Sequence, residues 1–120
     1  MELVEDKHNS DFNIKKYINN TIIINDNSYS EPIIIFDRKI SNFSIDKPNL
    51  ININDIEQYL DSITLVLIGT GESAILPNQD LIQLMYKKNK GLEFMNTDSA
   101  CKTYNILLSE SRSFISILYP

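Results

Sequence analysis

The sequence predicts an α/β fold: a compact three-layer single domain with a mixed sheet, built from N-terminal antiparallel strands and a C-terminal β-α-β-α-β order. Three observations carry this. The run Ile63-Thr64-Leu65-Val66-Leu67-Ile68 is apolar at all positions but Thr64, as expected for a strand buried on both faces. Two segments with apolar residues at helical spacing follow it, each leading into a short apolar run. Ahead of it, β-branched stretches alternate with turn residues. Strands alternating with helices predict neighbouring strands joined by right-handed crossovers. The N-terminal meander then either extends that sheet or packs on it.

In chain order, residues 1–13 are polar and aperiodic and read as a loose arm, with the domain proper at 14–120. Phe12 and Ile14 are its first apolar anchors. Thr21–Ile24 and Ile33–Phe36 are β-branched and predict a hairpin closed by Asn25-Asp26-Asn27-Ser28. Pro32 belongs at an edge or a strand start, because it cannot donate to a ladder. Ile40, Phe43 and Ile45 mark an imperfect strand. Asn54 then caps a short helix with Glu57 as its capping-box partner, and Ile56, Tyr59, Leu60 and Ile63 form its packing stripe. After the strand ending at Ile68, Pro77 starts a helix with Asp80 in its first turn and Lys87 and Lys88 in its last. Leu81, Leu84 and Met85 are its apolar face, and Gly91 closes it. Leu92–Met95 is a short strand. Residues 98–108 form a helix with Ala100, Cys101, Tyr104, Leu107 and Leu108 on one stripe, and Ser113–Tyr119 is the last strand.

Composition removes several function classes. The chain has 120 residues, which suits one domain, and a net charge of −5, which argues against nucleic acid as the main partner. The Lys87-Lys88-Asn89-Lys90 cluster matches a helix C-terminus rather than a phosphate track. No apolar run approaches the roughly 18 residues of a transmembrane segment. The acidic N-terminus has no leader-like apolar core, so a cytoplasmic protein is expected. Cys101 is the only cysteine, so no internal disulfide or cysteine-based zinc site is expected, and its place on the apolar stripe reads as a buried thiol. His8 is the only histidine, which leaves a Ser-His-Asp or Cys-His pair dependent on the N-terminal arm. Abundant Ile and Asn, both with A/T-rich codons, suggest a low-GC bacterial genome.

Gly69-Thr70-Gly71-Glu72-Ser73-Ala74 follows a strand and formally fits the dinucleotide pattern G-x-G-x-x-G/A. A cofactor site would need a helix opening at the glycines to aim its N-terminus at a pyrophosphate. Here the helix is expected only from Pro77, and no further βα units supply a second nucleotide-binding half. No cofactor is therefore expected. The glycines read as a tight turn that lets the strand end approach the Met95–Asp98 loop, through positive φ or close approach. In that loop Thr97 or Asp98 caps the next helix, and free N–H groups there could alternatively hold an anion. Glu110 and Arg112 read either as a structural ion pair or as an anion hook beside the Gly69–Gly71 turn.

Leu67-Ile68-Gly69-Thr70-Gly71 and Met95-x-Thr97-x-x-Ala100-x-x-Thr103-Tyr104-Asn105-x-Leu107-Leu108-x-Glu110-x-Arg112, in a chain ending on Pro120, resemble the Mth-like domain family. That family is of largely unknown function and includes an assembly factor of mitochondrial respiratory complex I. The resemblance implies a three-layer α/β domain with a mixed sheet and brings no catalytic residues. The family motif usually has a glycine between its Glu and Arg, where this chain has Ser111. The expected function is a non-enzymatic binding or assembly module, acting with a protein partner linked to a membrane respiratory or insertion complex. Its expected surface comprises Gly69, Thr70, Gly71, Glu72, Ser73, Met95, Thr97, Asp98, Glu110 and Arg112, with Tyr104 and Asn105 from the motif. The alternative is a small-molecule binder or weak enzyme that holds an anionic ligand between the Gly69–Gly71 turn and Arg112.

Overall fold

Strands Leu65–Gly69 and Phe114–Leu118 are buried at every residue, so both must lie inside a sheet with helices on each face. The computed structural model, which describes residues 12–120, places them side by side. In chain order the strands are β1 (Ile14–Ile18), β2 (Thr21–Ile24), β3 (Asn27–Tyr29), β4 (Ile33–Phe36), β5 (Lys39–Asn42), β6 (Leu65–Gly69), β7 (Gly91–Met95) and β8 (Phe114–Leu118). The helices are α1 (Ile53–Ile56), α2 (Gln79–Lys87) and α3 (Thr97–Ser109), with 3-10 turns at Pro48–Leu50 and Glu57–Ser62. The main sheet has the order β5-β4-β8-β6-β7, and β1-β2-β3 form a separate antiparallel sheet.

The topology follows from handedness. β6 pairs in parallel with both β7 and β8, which lie on opposite sides of it. The chain therefore moves one way across the sheet through α2 and back through α3. Right-handed crossovers then put the two helices on opposite faces. Burial agrees. Leu81 and Met85 of α2 pack with Val66, Ile68, Ile115 and Ile117, together with Ile56, Leu60 and Ile63 from the segment before β6. Ala100, Cys101, Tyr104 and Leu107 of α3 pack with Leu65, Leu67, Phe114 and Leu118 on the other face, joined by Ile14, Ile22 and Ile24 of the small sheet. The N-terminal half thus does both things open to it: β4 and β5 extend the main sheet, β4 running antiparallel to β8, and β1–β3 pack beside α3.

Several local expectations are corrected. Thr21–Ile24 does not pair with Ile33–Phe36. It is the middle strand of the small sheet, and the turn is only Asn25-Asp26, with Asn27 and Ser28 already in β3. The expected loose arm falls almost wholly outside the described residues, as does His8, but its boundary is followed at once by an unexpected strand, β1. Ile40 sits in β5 and packs on the α3 face, whereas Phe43 and Ile45 lie beyond it and pack on the other face, which explains their irregular spacing. The first helix is capped by Asn52 and Asp55 as a capping box, not by Asn54 and Glu57. Asn78, directly after buried Pro77, caps α2 and accepts from Asp80 N–H at 2.8 Å. α2 is closed by Asn89 at φ +60, while Gly91 is the first residue of β7. A Cβ at Gly91 would lie 2.9 Å from Leu65 Cδ1, so glycine there serves strand packing rather than the cap.

The α3 C-terminus shows why a glycine would suit position 111. Arg112 N–H donates to the Leu107 carbonyl at 3.2 Å and Ser111 N–H to Leu108 at 3.1 Å, the bond pair of a Schellman motif. The residue at its centre must be left-handed, and Ser111 has φ +55. Glycine takes that conformation without the roughly 1–2 kcal/mol penalty of an L-residue, though it loses more freedom on folding. Ser111→Gly is therefore expected to raise unfolding stability by about 0.5–1 kcal/mol. Denaturant titration checks this, and a lower midpoint would refute the left-handed assignment.

Candidate functional site

Where β6 ends, six of the expected residues meet. Gly69 closes β6, and a Cβ there would lie 2.9 Å from Ala100 Cβ and 2.9 Å from Leu118 Cδ2, so this glycine permits the close crossing of α3 over the sheet. Thr70 N–H donates to the Met95 carbonyl at 2.8 Å. The Thr70 hydroxyl donates to the Ser73 carbonyl at 2.7 Å, lies 3.1 Å from the Met95 carbonyl, and accepts from Ile75 N–H at 3.1 Å. Gly71 takes φ +98. Its N–H donates to Thr97 Oγ1 at 2.7 Å and its carbonyl accepts from Thr97 N–H at 2.8 Å. The Thr97 hydroxyl then donates to the Tyr119 carbonyl at 2.6 Å, and Tyr119 N–H donates to the Gly69 carbonyl at 2.9 Å. The turn, the start of α3 and the end of β8 are thereby one hydrogen-bonded knot, and Thr97 at its centre is fully buried.

This knot has few donors left for a ligand. Neither Thr97 nor Asp98 caps α3. Asn96 does, accepting from Ser99 N–H at 2.9 Å, while Thr97 N–H is already bound to Gly71. Asp98 is exposed in the first helical turn and pairs with Lys102 at 3.3 Å, an exposed i,i+4 contact of little weight. No helix opens at the glycines, because α2 starts only at Gln79. Glu72 and Ser73 lie exposed in the loop that follows, which also exposes Ile75 at 37% and Leu76 at 58%.

The remaining expected residues do other work. Asn105 pins the small sheet to α3: its side-chain carbonyl accepts from Ile14 N–H at 2.8 Å and its amide donates to the Ile14 carbonyl at 3.0 Å. Tyr104 is buried against Phe114, edge to face, with ring centroids 5.6 Å apart. Glu110 and Arg112 do not join the Gly69–Gly71 turn. They follow the far end of α3, whose 13 residues span roughly 20 Å, at the edge where β8 begins. Their side chains pair at 3.7 Å, both about half exposed. An anion held between Gly69–Gly71 and Arg112 is thus geometrically ruled out; the two features occupy opposite edges of the sheet.

Burial also sets the acid–base character. Burial, then the Asp98 charge, pushes the Cys101 thiol up to about 12, so it is held as the neutral thiol and not as a nucleophile. Burial alone pushes Tyr104 up to about 12. Tyr119 is raised by burial, then by Asp46 and Asp55, and its hydroxyl donates to the Ile45 carbonyl at 2.8 Å. Among the described residues no group of three or more His, Cys, Asp or Glu side chains is placed to hold a metal ion. Sequence reasoning missed Tyr17, whose hydroxyl donates to the Pro120 carbonyl at 2.8 Å, and Arg38, which lies in the two-residue gap between β4 and β5. That two-residue spacing between Phe36 and Lys39 was the available signal for a tight hairpin.

The chain belongs to the family described as protein of unknown function (DUF498/DUF598), which matches residues 14–119. It is 34% identical to the 13 kDa major membrane protein of Francisella tularensis subsp. holarctica, over 98% of each chain. It is 24% identical to the NADH dehydrogenase [ubiquinone] 1 alpha subcomplex assembly factor 3 of Xenopus tropicalis, over 89% of this chain and 60% of that factor's length. Its fold matches the solution structure of a Mth938-like domain from Bordetella pertussis, with a TM-score of 0.73 at 20% identity over 90% of this chain and 85% of that one. The Mth-like family and the mixed α/β fold expected from the sequence are both correct. No helix among the described residues is long and apolar enough to cross a membrane.

Thr97→Val keeps shape and burial but strands the Gly71 N–H and the Tyr119 carbonyl. At about 1–3 kcal/mol per orphaned group, the loss for these two is expected to be about 2–6 kcal/mol, with Thr97→Ser close to wild type. Equal stability of the Val variant in urea would show that the knot is not held by this hydroxyl. Alkaline pH provides a second check. Cys101 and Tyr104 have folded pKa values raised above their unfolded ones, so their contribution is intact below about pH 9 and falls as pH rises toward about 12. Melting temperature is expected to drop steadily over that interval and to drop less in Cys101→Ala; a profile identical in the two would contradict a buried thiol.

Proposed function

We propose that this chain is a non-enzymatic binding and assembly module, acting on the cytoplasmic side of a bacterial membrane on the assembly of a respiratory or insertion complex. The observation that carries the reading is the loop Glu72–Leu76. The Thr70 hydroxyl holds it from within through Ser73 and Ile75, and it presents Ile75 and Leu76 to solvent. An apolar pair on a pre-ordered loop binds a protein surface without the entropy cost of ordering a flexible one. The knot beneath it has its polar groups bonded internally, so it functions as a platform rather than as a reaction centre. The assembly role of the Xenopus relative supports the choice of partner class.

The test is affinity capture from detergent-solubilised membranes of the source organism, read by mass spectrometry. Wild-type protein is expected to retain subunits of one membrane complex that Leu76→Asp does not. Because Leu76 is exposed, that substitution should change stability by no more than about 0.5 kcal/mol. Recovery of the same proteins by both chains would refute the loop as the partner surface.

A further inference from the structure

At the opposite edge of the sheet from the knot, both arginines of the chain line one cavity of about 220 Å³. Its apolar lining is Ile35, Leu108 and Phe114, with Tyr104 beside them, and Arg38 and Arg112 supply its positive charge. The backbone under Arg38 is the second observation. Asp37 and Arg38 join β4 to β5 at φ +48 and φ +61, the left-handed pair of a two-residue hairpin. Of the eight non-glycine residues with positive φ among those described, six are Asn or Asp, which tolerate it; Arg38 and Ser111 are the two that do not share that chemistry. A long β-turn residue held where glycine or asparagine is at ease is kept for its side chain. The Glu110–Arg112 pair is long, at 3.7 Å, and half exposed, so Arg112 can exchange it for a better acceptor.

We propose that this cavity binds a small organic monocarboxylate, its carboxylate between Arg38 and Arg112 and its apolar body on Ile35, Leu108 and Phe114. Guanidinium forks match the two oxygens of a carboxylate. Asp37 also lines the cavity and disfavours a dianion such as phosphate. A cavity of about 220 Å³ admits an acid the size of benzoate or hexanoate. The site is independent of the partner loop, which lies at the other edge, so either assignment can fail alone.

The test is an NMR titration of the full chain with benzoate, hexanoate, benzamide and inorganic phosphate, following backbone amides and the arginine Nε–H groups. Benzoate and hexanoate are expected to shift Arg38, Arg112 and Phe114 saturably. Benzamide and phosphate should bind at least about tenfold more weakly, as loss of a charge-assisted contact or an added repulsion implies. Arg38→Gly is the decisive variant, since glycine suits the φ there and the turn is kept: it is expected to bind benzoate at least about tenfold more weakly than wild type. Arg112→Gln should give the same loss. No saturable shift with either acid, equal binding of benzamide or phosphate, or undiminished binding by Arg38→Gly would each overturn the assignment.

Discussion

The Thr97 hydroxyl is the constraint on which the rest of the fold depends. One oxygen accepts from Gly71 and donates to Tyr119, and so joins the end of β6, the start of α3 and the end of β8 inside a site from which water is excluded. These are the three elements that bury the most of the domain. α3 cannot tilt without breaking the Gly71 bonds, and β8 cannot slide against β6 without leaving the Tyr119 carbonyl unpaired. Gly69 makes the arrangement sterically admissible, because the helix passes where its Cβ would be. A buried hydroxyl that serves two backbone groups is worth more to specificity than to bulk stability: it selects one register from the several that an all-apolar interface between smooth Ile and Leu strands would permit.

From α3 the constraint spreads to the N-terminal half. Asn105 offers Ile14 the acceptor and donor that a neighbouring strand would, so β1 is anchored to a helix as if to a sheet. Tyr17 then reaches the Pro120 carbonyl. Ile22 and Ile24 of β2, fully buried, complete the cover over the α3 side of the core. The three-stranded sheet has little core of its own, and its place depends on this polar anchor as much as on its isoleucines.

The C-terminal β-α-β-α-β was legible because its signals are local. Uninterrupted apolar runs mark strands covered on both faces, and 3.6-residue spacing marks helices that each cover one face. The N-terminal half was less legible for a physical reason. Thr21–Ile24 and Ile33–Phe36 carry nearly the same residues, and β-branched composition does not say which strand is the partner. Pairing was decided by Asn25-Asp26 and Asp37-Arg38, two-residue hairpins of which only the first contains a residue associated with left-handed turns at both positions. β1 went unseen because Lys15 and Lys16 break its alternation with exposed charges. The candidate site was half legible: proximity of Gly69–Gly71 to Met95–Thr97 follows from both being strand ends on one sheet edge. Arg112 was misplaced because Glu110–Arg112 follows α3 rather than β7, and a helix carries the chain back to the other edge.

That return journey divides the molecule's labour. In a parallel β-α-β unit the strand C-termini gather at one edge and the helix C-termini at the other. The first edge here has Gly69, Met95 and Leu118, and the knot satisfies its backbone groups with one another, so the place where α/β proteins commonly bind ligands is closed and turned into a support. The second edge receives the end of α3, the start of β8 and the β4–β5 turn. Arg38 and Ser111, the two residues there least suited to their φ values, lie at this edge, and both arginines line a cavity. The first edge, closed by the Thr97 knot, carries a structural requirement, whereas the second tolerates backbone strain at Arg38 and Ser111. The freedom to vary for binding is left to the loop above the knot and to the strained edge opposite.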